Sequence, residues 1–333
     1  MKNYRPANMA NWQGRVDDHE DPDAFRFHQV VRKLDLRNPT PPADKGAVNF
    51  CLLGFHSDLG VSKNLGREGA AKAPEFIRRE MSNLPCLFPA DVHIYDGGDI
   101  MPFDDCLGMV QEALAAFVRR ILDMGMFPLV LGGGHELAYG HFNGIFDHLE
   151  GRGQIGIINL DAHFDLRPHQ VTGANSGTMF SEIAEDLREE NQALHYMAVG
   201  IQQSANTLSL FKKARELGVH CIPAKEIPNT PMPGLLKMID EFIAGVDHVY
   251  LTLCADVFSS AFAPGVSSPQ PLGLEPETVL SMVKHVAASE KVRGFDIAEI
   301  LPRFDADSRT AKLAAITIFA FINSRIGEKL ISI

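Results

Sequence analysis

A short apolar segment that runs directly into three polar residues constrains this chain more than any other feature. Residues 155–160 read Ile-Gly-Ile-Ile-Asn-Leu, a pattern typical of a buried strand. Asp161, His163 and Asp165 follow at alternate positions. Alternate side chains of extended backbone share a face, so the two carboxylates and the imidazole are predicted to converge where the strand ends. Carboxylates held this close repel each other and raise each other's pKa, and a bound cation removes that repulsion. The pattern therefore favours a metal site over a set of solvent-facing polar residues.

Strands and helices alternate along the chain, which predicts an α/β fold with a mostly parallel sheet covered on both faces. Strands are predicted at 48–55, 92–95, 127–131, 155–160, 195–200, 220–223, 249–253 and 292–297, and helices include 73–81, 106–124 and a long one from about 307. There is no internal repeat and no strong domain boundary, so one domain is expected. Residues 1–45, with prolines at 39, 41 and 42, are interpreted as a turn-rich N-terminal extension.

Composition and charge exclude several classes of function. The net charge of −11 and the absence of a basic run argue against a nucleic-acid partner. The five cysteines form no CxxC pair, which indicates a reducing compartment. Residues 1–22 lack the apolar core of a signal peptide, and the most apolar stretch, 313–322, is too short to span a bilayer. We therefore expect a cytoplasmic protein with no membrane contact.

Two further groups of polar residues follow predicted strands. His135 comes after Leu131 and a run of three glycines, and Cys254 and Asp256 come after the strand predicted at 249–253. Strand ends of a parallel sheet share one edge, where ligand sites gather. His135 alone is more often structural, and the triple glycine has the spacing of neither a P-loop nor a dinucleotide-binding motif. The three groups together favour a metal site.

These motifs resemble those of the arginase, or ureohydrolase, family. The similar segments are Gly-Gly-Gly-His-Glu at 132–136, Asp-Ala-His-Phe-Asp at 161–165, and Asp256 with Ala-Pro-Gly at 263–265. The resemblance implies a single-domain three-layer αβα sandwich over residues 46–333, with two Mn²⁺ ions. It also implies hydrolysis of carbon–nitrogen bonds in guanidino or amidino groups.

The resemblance also implies a ligand set for each metal ion, with one carboxylate shared between the two ions. One set is His135, Asp161 and Asp165, and the other is Asp161, His163 and Asp256.

Cys254 departs from the family pattern, which usually has a bridging aspartate at this position. A thiolate is a softer ligand and favours Zn²⁺ or Fe²⁺ over Mn²⁺. Bound metal lowers the pKa of a thiol, so Cys254 could still be a ligand. The alternative is that Cys254 is a small buried residue and that one metal ion binds weakly. The sequence leaves these two interpretations open.

Within the family, the closer resemblance is to the formimidoylglutamase subfamily, which yields glutamate and formamide during histidine degradation. Residues 12–15, 26–31 and 200–207 resemble segments of that subfamily. Phe180 stands where arginase-type members carry a catalytic histidine. The resemblance implies N-formimidoyl-L-glutamate as the small-molecule substrate.

Four residues are predicted to act on this substrate. Arg167 would bind a substrate carboxylate, because a guanidinium pairs with a carboxylate bidentately; its alternative is a salt bridge to a neighbouring acid. Ser176 would add a hydroxyl contact, or belong only to a Ser-Gly turn. Asp165 would pass a proton to the departing nitrogen. Glu299 matches a family glutamate near the substrate nitrogen, and its alternative is pairing with Arg303.

Two other functions stay open from the sequence. The chain could be an agmatinase or another guanidino hydrolase, although a cationic substrate should not need Arg167. It could also be a metal-poor protein with the same fold that serves as a binding or assembly subunit, an alternative that Cys254 motivates. Family members are commonly homo-oligomers, but no sequence feature fixes a number of subunits.

Overall fold

The structure is a computed structural model that describes residues 2–39 and 46–327. The strands are β1 Tyr4–Arg5, β2 Arg32–Lys33, β3 Val48–Phe55, β4 Val92–Ile100, β5 Phe127–Leu131, β6 Ile155–Leu160, β7 His195–Ile201, β8 His220–Pro223, β9 His248–Cys254 and β10 Val292–Ala298. The α-helices are α1 Phe27–Val30, α2 Leu59–Lys63, α3 Ala73–Ser82, α4 Leu107–Asp123, α5 Leu137–His148, α6 His169–Thr172, α7 Met179–Glu189, α8 Leu208–Glu216, α9 Met232–Ala244, α10 Pro276–Ala287 and α11 Arg309–Ile326.

The strands form one sheet in the order β1-β4-β3-β5-β10-β9-β6-β7-β8, with β2 also paired to β4. Among the described residues only β1 pairs antiparallel, and the other strand pairs are parallel. The last strand of the chain, β10, lies in the middle of the sheet between β5 and β9. Four neighbouring strands, β5, β10, β9 and β6, therefore end side by side at the centre of one sheet edge.

The sheet is buried on both faces, which makes the fold a three-layer αβα sandwich. In β3, Phe50 and Leu52 pack into one hydrophobic core, while Cys51 and Leu53 pack into the other. Helices α3, α9, α10 and α11 contribute to the first core, and α4, α5, α7 and α8 to the second. Strands covered on both faces read as nearly continuous apolar runs, as β3 does. The predicted fold class is confirmed.

Helix α4 illustrates how helical periodicity places a layer on the sheet. Val110, Leu114, Phe117, Val118 and Ile121 recur at helical spacing, and all are buried in the second core. Between them lie exposed positions such as 112 and 116, which face solvent. Burial of this apolar stripe, rather than helix propensity alone, stabilises the helix.

The N-terminal segment is tied to β4 by a buried ion-pair network. Arg78 of α3 donates to Asp96 at 2.9 Å and to Asp99 at 2.6 Å, and its side chain is 1% exposed. The indole N–H of Trp12 donates to Asp96 at 2.8 Å, and Arg5 pairs with Asp99 at 2.9 Å. Residues distant in sequence thus satisfy two carboxylates that would otherwise be buried without partners.

The predicted strands of the main domain all occur, with small differences at their ends. Strand β4 continues to Ile100 instead of stopping near residue 95, because the network around Asp96 and Asp99 compensates its polar residues. The predicted N-terminal connector contains β1 and β2, which are too short to leave a periodic pattern. Thr40, Pro41 and Pro42 of that connector lie outside the described residues. Within the described part of the chain, no helix has the length and apolar character needed to cross a membrane.

Candidate metal centre and active site

The predicted site residues meet at the shared edge of β5, β10, β9 and β6. His135 follows β5, Asp161 follows β6 directly, Cys254 is the last residue of β9, and Glu299 follows β10. Asp256 lies in the short 3₁₀ turn that comes after β9. Because all four strands are parallel, their carboxyl ends deliver these side chains to one place.

The glycine run brings the ends of three strands close together. The Gly132 N–H donates to the Ile297 carbonyl of β10, and the Gly134 N–H donates to the Ser57 carbonyl just after β3. A Cβ at Gly133 would overlap that same Ser57 oxygen, so a larger residue does not fit there. The run thus places the residue that follows it, His135, against the end of β10.

Two hydrogen bonds fix His135 relative to Glu299. The His135 N–H donates to Glu299 Oε1 at 2.9 Å, and the Glu299 N–H donates to the Gly133 carbonyl at 2.9 Å. The second carboxylate oxygen, Glu299 Oε2, is buried and has no hydrogen-bond partner among the described residues. Burial and the nearby carboxylate of Glu136 raise the pKa of Glu299 well above its usual value.

The His135 ring faces two carboxylates. Its Nδ1 atom is 3.1 Å from Asp161 Oδ2 and 3.0 Å from Asp165 Oδ2. Burial lowers the pKa of His135, but the two carboxylates outweigh it and hold the pKa well above the usual value. Burial and the charge of Asp161 raise the pKa of Asp165 to about 6. The expected convergence of like charges is therefore present.

Asp161 lies between the two histidines. Its Oδ2 faces His135, while its Oδ1 is 3.4 Å from His163 Nδ1. The same His163 nitrogen is 3.0 Å from Asp256 Oδ2. Burial alone would raise the pKa of Asp161, but the hydrogen bonds from both imidazoles hold it well below its usual range. This arrangement suits Asp161 to bridging two cations.

Two groups of potential metal-ligating atoms occur among the described residues, each with its atoms within 4.8 Å of one another. They are Asp161, His163 and Asp256, and His135, Asp161 and Cys254. The first group coincides with one predicted ligand set. The second contains Cys254 where the prediction has Asp165, although Asp165 still contacts His135.

The donor set fits a pair of divalent cations. Imidazole and carboxylate donors from four strand ends are crowded together, and burial with the surrounding carboxylates raises the pKa values of Asp256 and Cys254. A buried cluster with this excess of negative charge is costly unless cations compensate it. Carboxylate oxygens suit Mn²⁺, while the Cys254 sulfur would favour a softer ion.

The backbone reaches this arrangement differently from the expectation. Residues 161–165 bend away from the strand direction, and Asp165 has a φ of 49°. Glu299 also has a positive φ, at 65°. Left-handed backbone is uncommon for residues other than glycine and tends to occur at functional sites, where the surrounding structure compensates its cost. The side chains thus converge through a bend and not through continued strand pleating.

A cavity of about 280 Å³ opens above this cluster. Its lining includes His135, His163, Asp165, Arg167, Ser176, Cys254, Asp256 and Glu299. Arg167 is exposed and makes no ion pair with any described residue, so the predicted alternative of a salt bridge does not occur within that part of the chain. The Ser176 hydroxyl accepts a hydrogen bond from Asn64 at 3.2 Å.

Phe180 is buried beside the cluster and supplies no polar group. Its ring lies edge-on to His135, with 5.9 Å between ring centroids, and stacks at a tilt against Tyr196. The residue at the position where the resemblance expects a histidine therefore packs against the His135 ring here. Within the described part of the chain, Glu299 makes no ion pair with Arg303.

Sequence reasoning missed two buried residues that support His135. The Nε2 atom of His135 is 2.9 Å from the Thr252 hydroxyl, which donates to Asp296 Oδ1 at 2.6 Å. Both residues lie inside strands and are fully buried. A polar residue within an otherwise apolar strand, such as Asp296 between Phe295 and Ile297, was the signal that could have revealed them.

Comparison with known proteins gives a consistent result over nearly the whole chain. The chain is 44% identical over 325 residues to the formimidoylglutamase of Clostridium tetani, covering 97% of this chain and 96% of that protein. It is 45% identical over 316 residues to the formimidoylglutamase of Ralstonia nicotianae, covering 94% of each.

Solved structures share the fold at lower sequence identity. Formimidoylglutamase from Bacillus subtilis superposes with a TM-score of 0.79 at 22% identity, covering 94% of this chain and 95% of that one. Trypanosoma cruzi formiminoglutamase with Mn²⁺ has a TM-score of 0.75 at 24% identity, covering 85% of this chain and 95% of that one. A family model described as the arginase family matches residues 48–323. The chain therefore belongs to the arginase family.

Proposed function

We propose that this protein is a metal-dependent hydrolase that converts N-formimidoyl-L-glutamate and water to L-glutamate and formamide. The relatives that match almost its full length are formimidoylglutamases. The observation that carries the substrate assignment is Arg167, a guanidinium without an acidic partner among the described residues, in the same cavity as the carboxylate–imidazole cluster. A substrate with two carboxylates supplies the missing partner.

We propose that two Mn²⁺ ions bind at this cluster. Asp161, His163 and Asp256 would hold one ion, and His135 and Asp161 would hold the other together with Asp165, Cys254 or both. When bound, such ions act as Lewis acids and make hydroxide available near neutral pH. The crowded carboxylates and the bridging position of Asp161 support this assignment.

Three residues of the chain would bind the substrate. Arg167 would bind a carboxylate, and Ser176, held by Asn64, would offer a hydroxyl nearby. Glu299 Oε2 would accept a hydrogen bond from the formimidoyl nitrogen, because this buried oxygen has no other partner among the described residues.

Asp165 would move the proton that the reaction requires. As water adds to the formimidoyl carbon and the bond to the glutamate nitrogen breaks, that nitrogen must gain a proton. A carboxylate that holds an ion through one oxygen keeps the other free, so Asp165 would take a proton from the attacking water and pass it to that nitrogen. The oxygen used would be Oδ1, since Oδ2 faces His135.

We further assign residues 46–333 to the catalytic domain and residues 1–45 to an N-terminal extension that pairs with the sheet edge through β1 and β2. The start of the family match at residue 48 supports this division. The five cysteines are free, which supports a cytoplasmic location. Light scattering coupled to size-exclusion chromatography tests the homo-oligomer that the family resemblance implies.

A substrate panel tests the proposed function. Protein loaded with Mn²⁺ is assayed with N-formimidoyl-L-glutamate, agmatine, arginine and guanidinobutyrate. We expect turnover of the first substrate and little of the others. Asp161→Asn should abolish activity, whereas Asp147→Asn, a matched change on the exposed surface of α5, should not. Preference for agmatine would establish the guanidino hydrolase, and protein that stays inert and metal-free would establish the non-catalytic alternative.

A further inference from the structure

A chain of buried hydrogen bonds leads from His135 into the middle of the sheet. His135 Nε2 lies 2.9 Å from Thr252 Oγ1, and Thr252 Oγ1 lies 2.6 Å from Asp296 Oδ1. Thr252 and Asp296 are register partners on the adjacent parallel strands β9 and β10. All three side chains are at most 1% exposed, so solvent does not compete for these bonds.

Asp296 fixes the direction of this chain, because its carboxylate accepts each of its hydrogen bonds. The Tyr250 hydroxyl donates to Asp296 Oδ2 at 2.6 Å, and His141 Nδ1 lies 2.6 Å from the same oxygen. A carboxylate only accepts hydrogen bonds, so Thr252 must donate its proton to Asp296 Oδ1. The Thr252 oxygen is then free to accept the N–H of His135 Nε2.

This direction selects one tautomer of His135. A proton held at Nε2 leaves the lone pair of the neutral ring on Nδ1, the nitrogen that faces Asp161 and Asp165. The negative charge of Asp296, transmitted through Thr252, increases the electron density that Nδ1 can offer to a cation. Outer partners of this kind orient a ligating histidine and strengthen its hold on a metal ion.

We propose that Thr252 and Asp296 are positioning residues that hold His135 in its metal-ligating orientation and tautomer. This inference rests on the proposed metal-dependent function. It refines that function by assigning outer support to the ligand of only one of the two ions. The other imidazole has a weaker outer contact: His163 Nε2 is 3.5 Å from the Ser268 hydroxyl, and its side chain is 23% exposed. The hydrogen bonds that orient the ligating histidines are therefore stronger at the ion held by His135 than at the ion held by His163.

The hydrogen-bond chain from His135 through Thr252 to Asp296 is called the relay below. Mn²⁺ titration of variants tests it, with calorimetry or a competing chelator as the readout. Thr252→Val keeps the shape of the side chain and removes the hydroxyl. We expect one of two Mn²⁺ ions to bind on the order of 10- to 100-fold more weakly, while the other changes less than about twofold. Thr252→Ala carries the same expectation should valine prevent folding, and Thr252→Ser should restore wild-type affinity.

Tyr250→Phe is the matched control, because it also removes one buried 2.6 Å hydrogen bond to Asp296 but lies outside the relay. It should lower the unfolding temperature of the protein about as much as Thr252→Val does, yet leave both Mn²⁺ affinities unchanged. The relay would be overturned if wild type and Thr252→Val bound Mn²⁺ with equal affinities. It would also be overturned if Tyr250→Phe lost as much Mn²⁺ affinity as Thr252→Val. Wild-type protein that binds no Mn²⁺ would instead overturn the proposed function.

Discussion

Replacement of Arg167 by glutamine gives the most direct test of how the cavity recognises its substrate. Arg167 makes no ion pair with any described residue. Replacing its guanidinium therefore leaves no carboxylate of those residues without a partner. The change therefore removes little more than the contact with a substrate carboxylate. Hydrogen bonds to charged groups contribute about 1.5–3 kcal/mol. At about 1.4 kcal/mol for each factor of ten, kcat/KM should fall about 10- to 100-fold.

The loss should appear mainly in KM, because a carboxylate distant from the formimidoyl carbon is bound alike in the ground and transition states. Arg167→Lys should recover only part of it, since an ammonium lacks the planar fork of donors. The assay follows glutamate release at saturating Mn²⁺. Arg188→Gln, an equal charge change on the exposed end of α7, is the control and should behave as wild type. A change of less than twofold in kcat/KM for Arg167→Gln would refute the assignment of Arg167 to the substrate.

Three further predictions concern the metal ions and the fold. Asp161→Asn should reduce bound Mn²⁺ at both sites, whereas His163→Ala should weaken mainly one, as measured by metal analysis after buffer exchange. If Cys254 is a ligand, Co²⁺-substituted protein should show a thiolate charge-transfer band that Cys254→Ser abolishes; an unchanged band would leave Cys254 as packing only. Arg78→Met should lower the free energy of unfolding by about 3–5 kcal/mol near pH 7, because it strands buried carboxylates. Burial raises the pKa of Asp99, but the charge of Arg78 outweighs burial and holds the pKa well below the unfolded value of about 3.9. The ionised Asp99 therefore stabilises the fold above that pH. This stabilisation is lost as the pH falls from the unfolded pKa through the folded pKa. The deficit of Arg78→Met in denaturation curves should therefore shrink as the pH falls below about 4; a constant deficit would contradict this.

The sequence predicted those parts of the fold that depend on local periodicity. The eight strands from β3 to β10 follow from apolar runs, and His135, Asp161 and Asp256 follow from polar residues placed where such runs end. Their convergence could be predicted because parallel strands end at one edge. The roles of Arg167, Ser176, Asp165 and Glu299 stay predictions that only the experiments above can decide.

Features that depend on contacts between distant residues were not accessible in the same way. Strand β4 runs on through Asp96 and Asp99 because Arg78 and Trp12 reach it from other segments. The backbone bend at Asp165 has no local signal, since an aspartate adopts positive φ only when the surrounding structure requires it. The partnership of His135 with Thr252 joins residues 117 positions apart.

The central position of β10 has a consequence for how the protein acquires its metal ions. Residues 292–298 form the strand that joins β5 to β9, so without them the sheet order is divided into two halves, one ending at β5 and the other at β9. His135 belongs to the first half, whereas Asp161, His163 and Asp256 belong to the second. We therefore expect the complete binuclear centre to form, and both ions to bind, only after β10 has paired with β5 and β9.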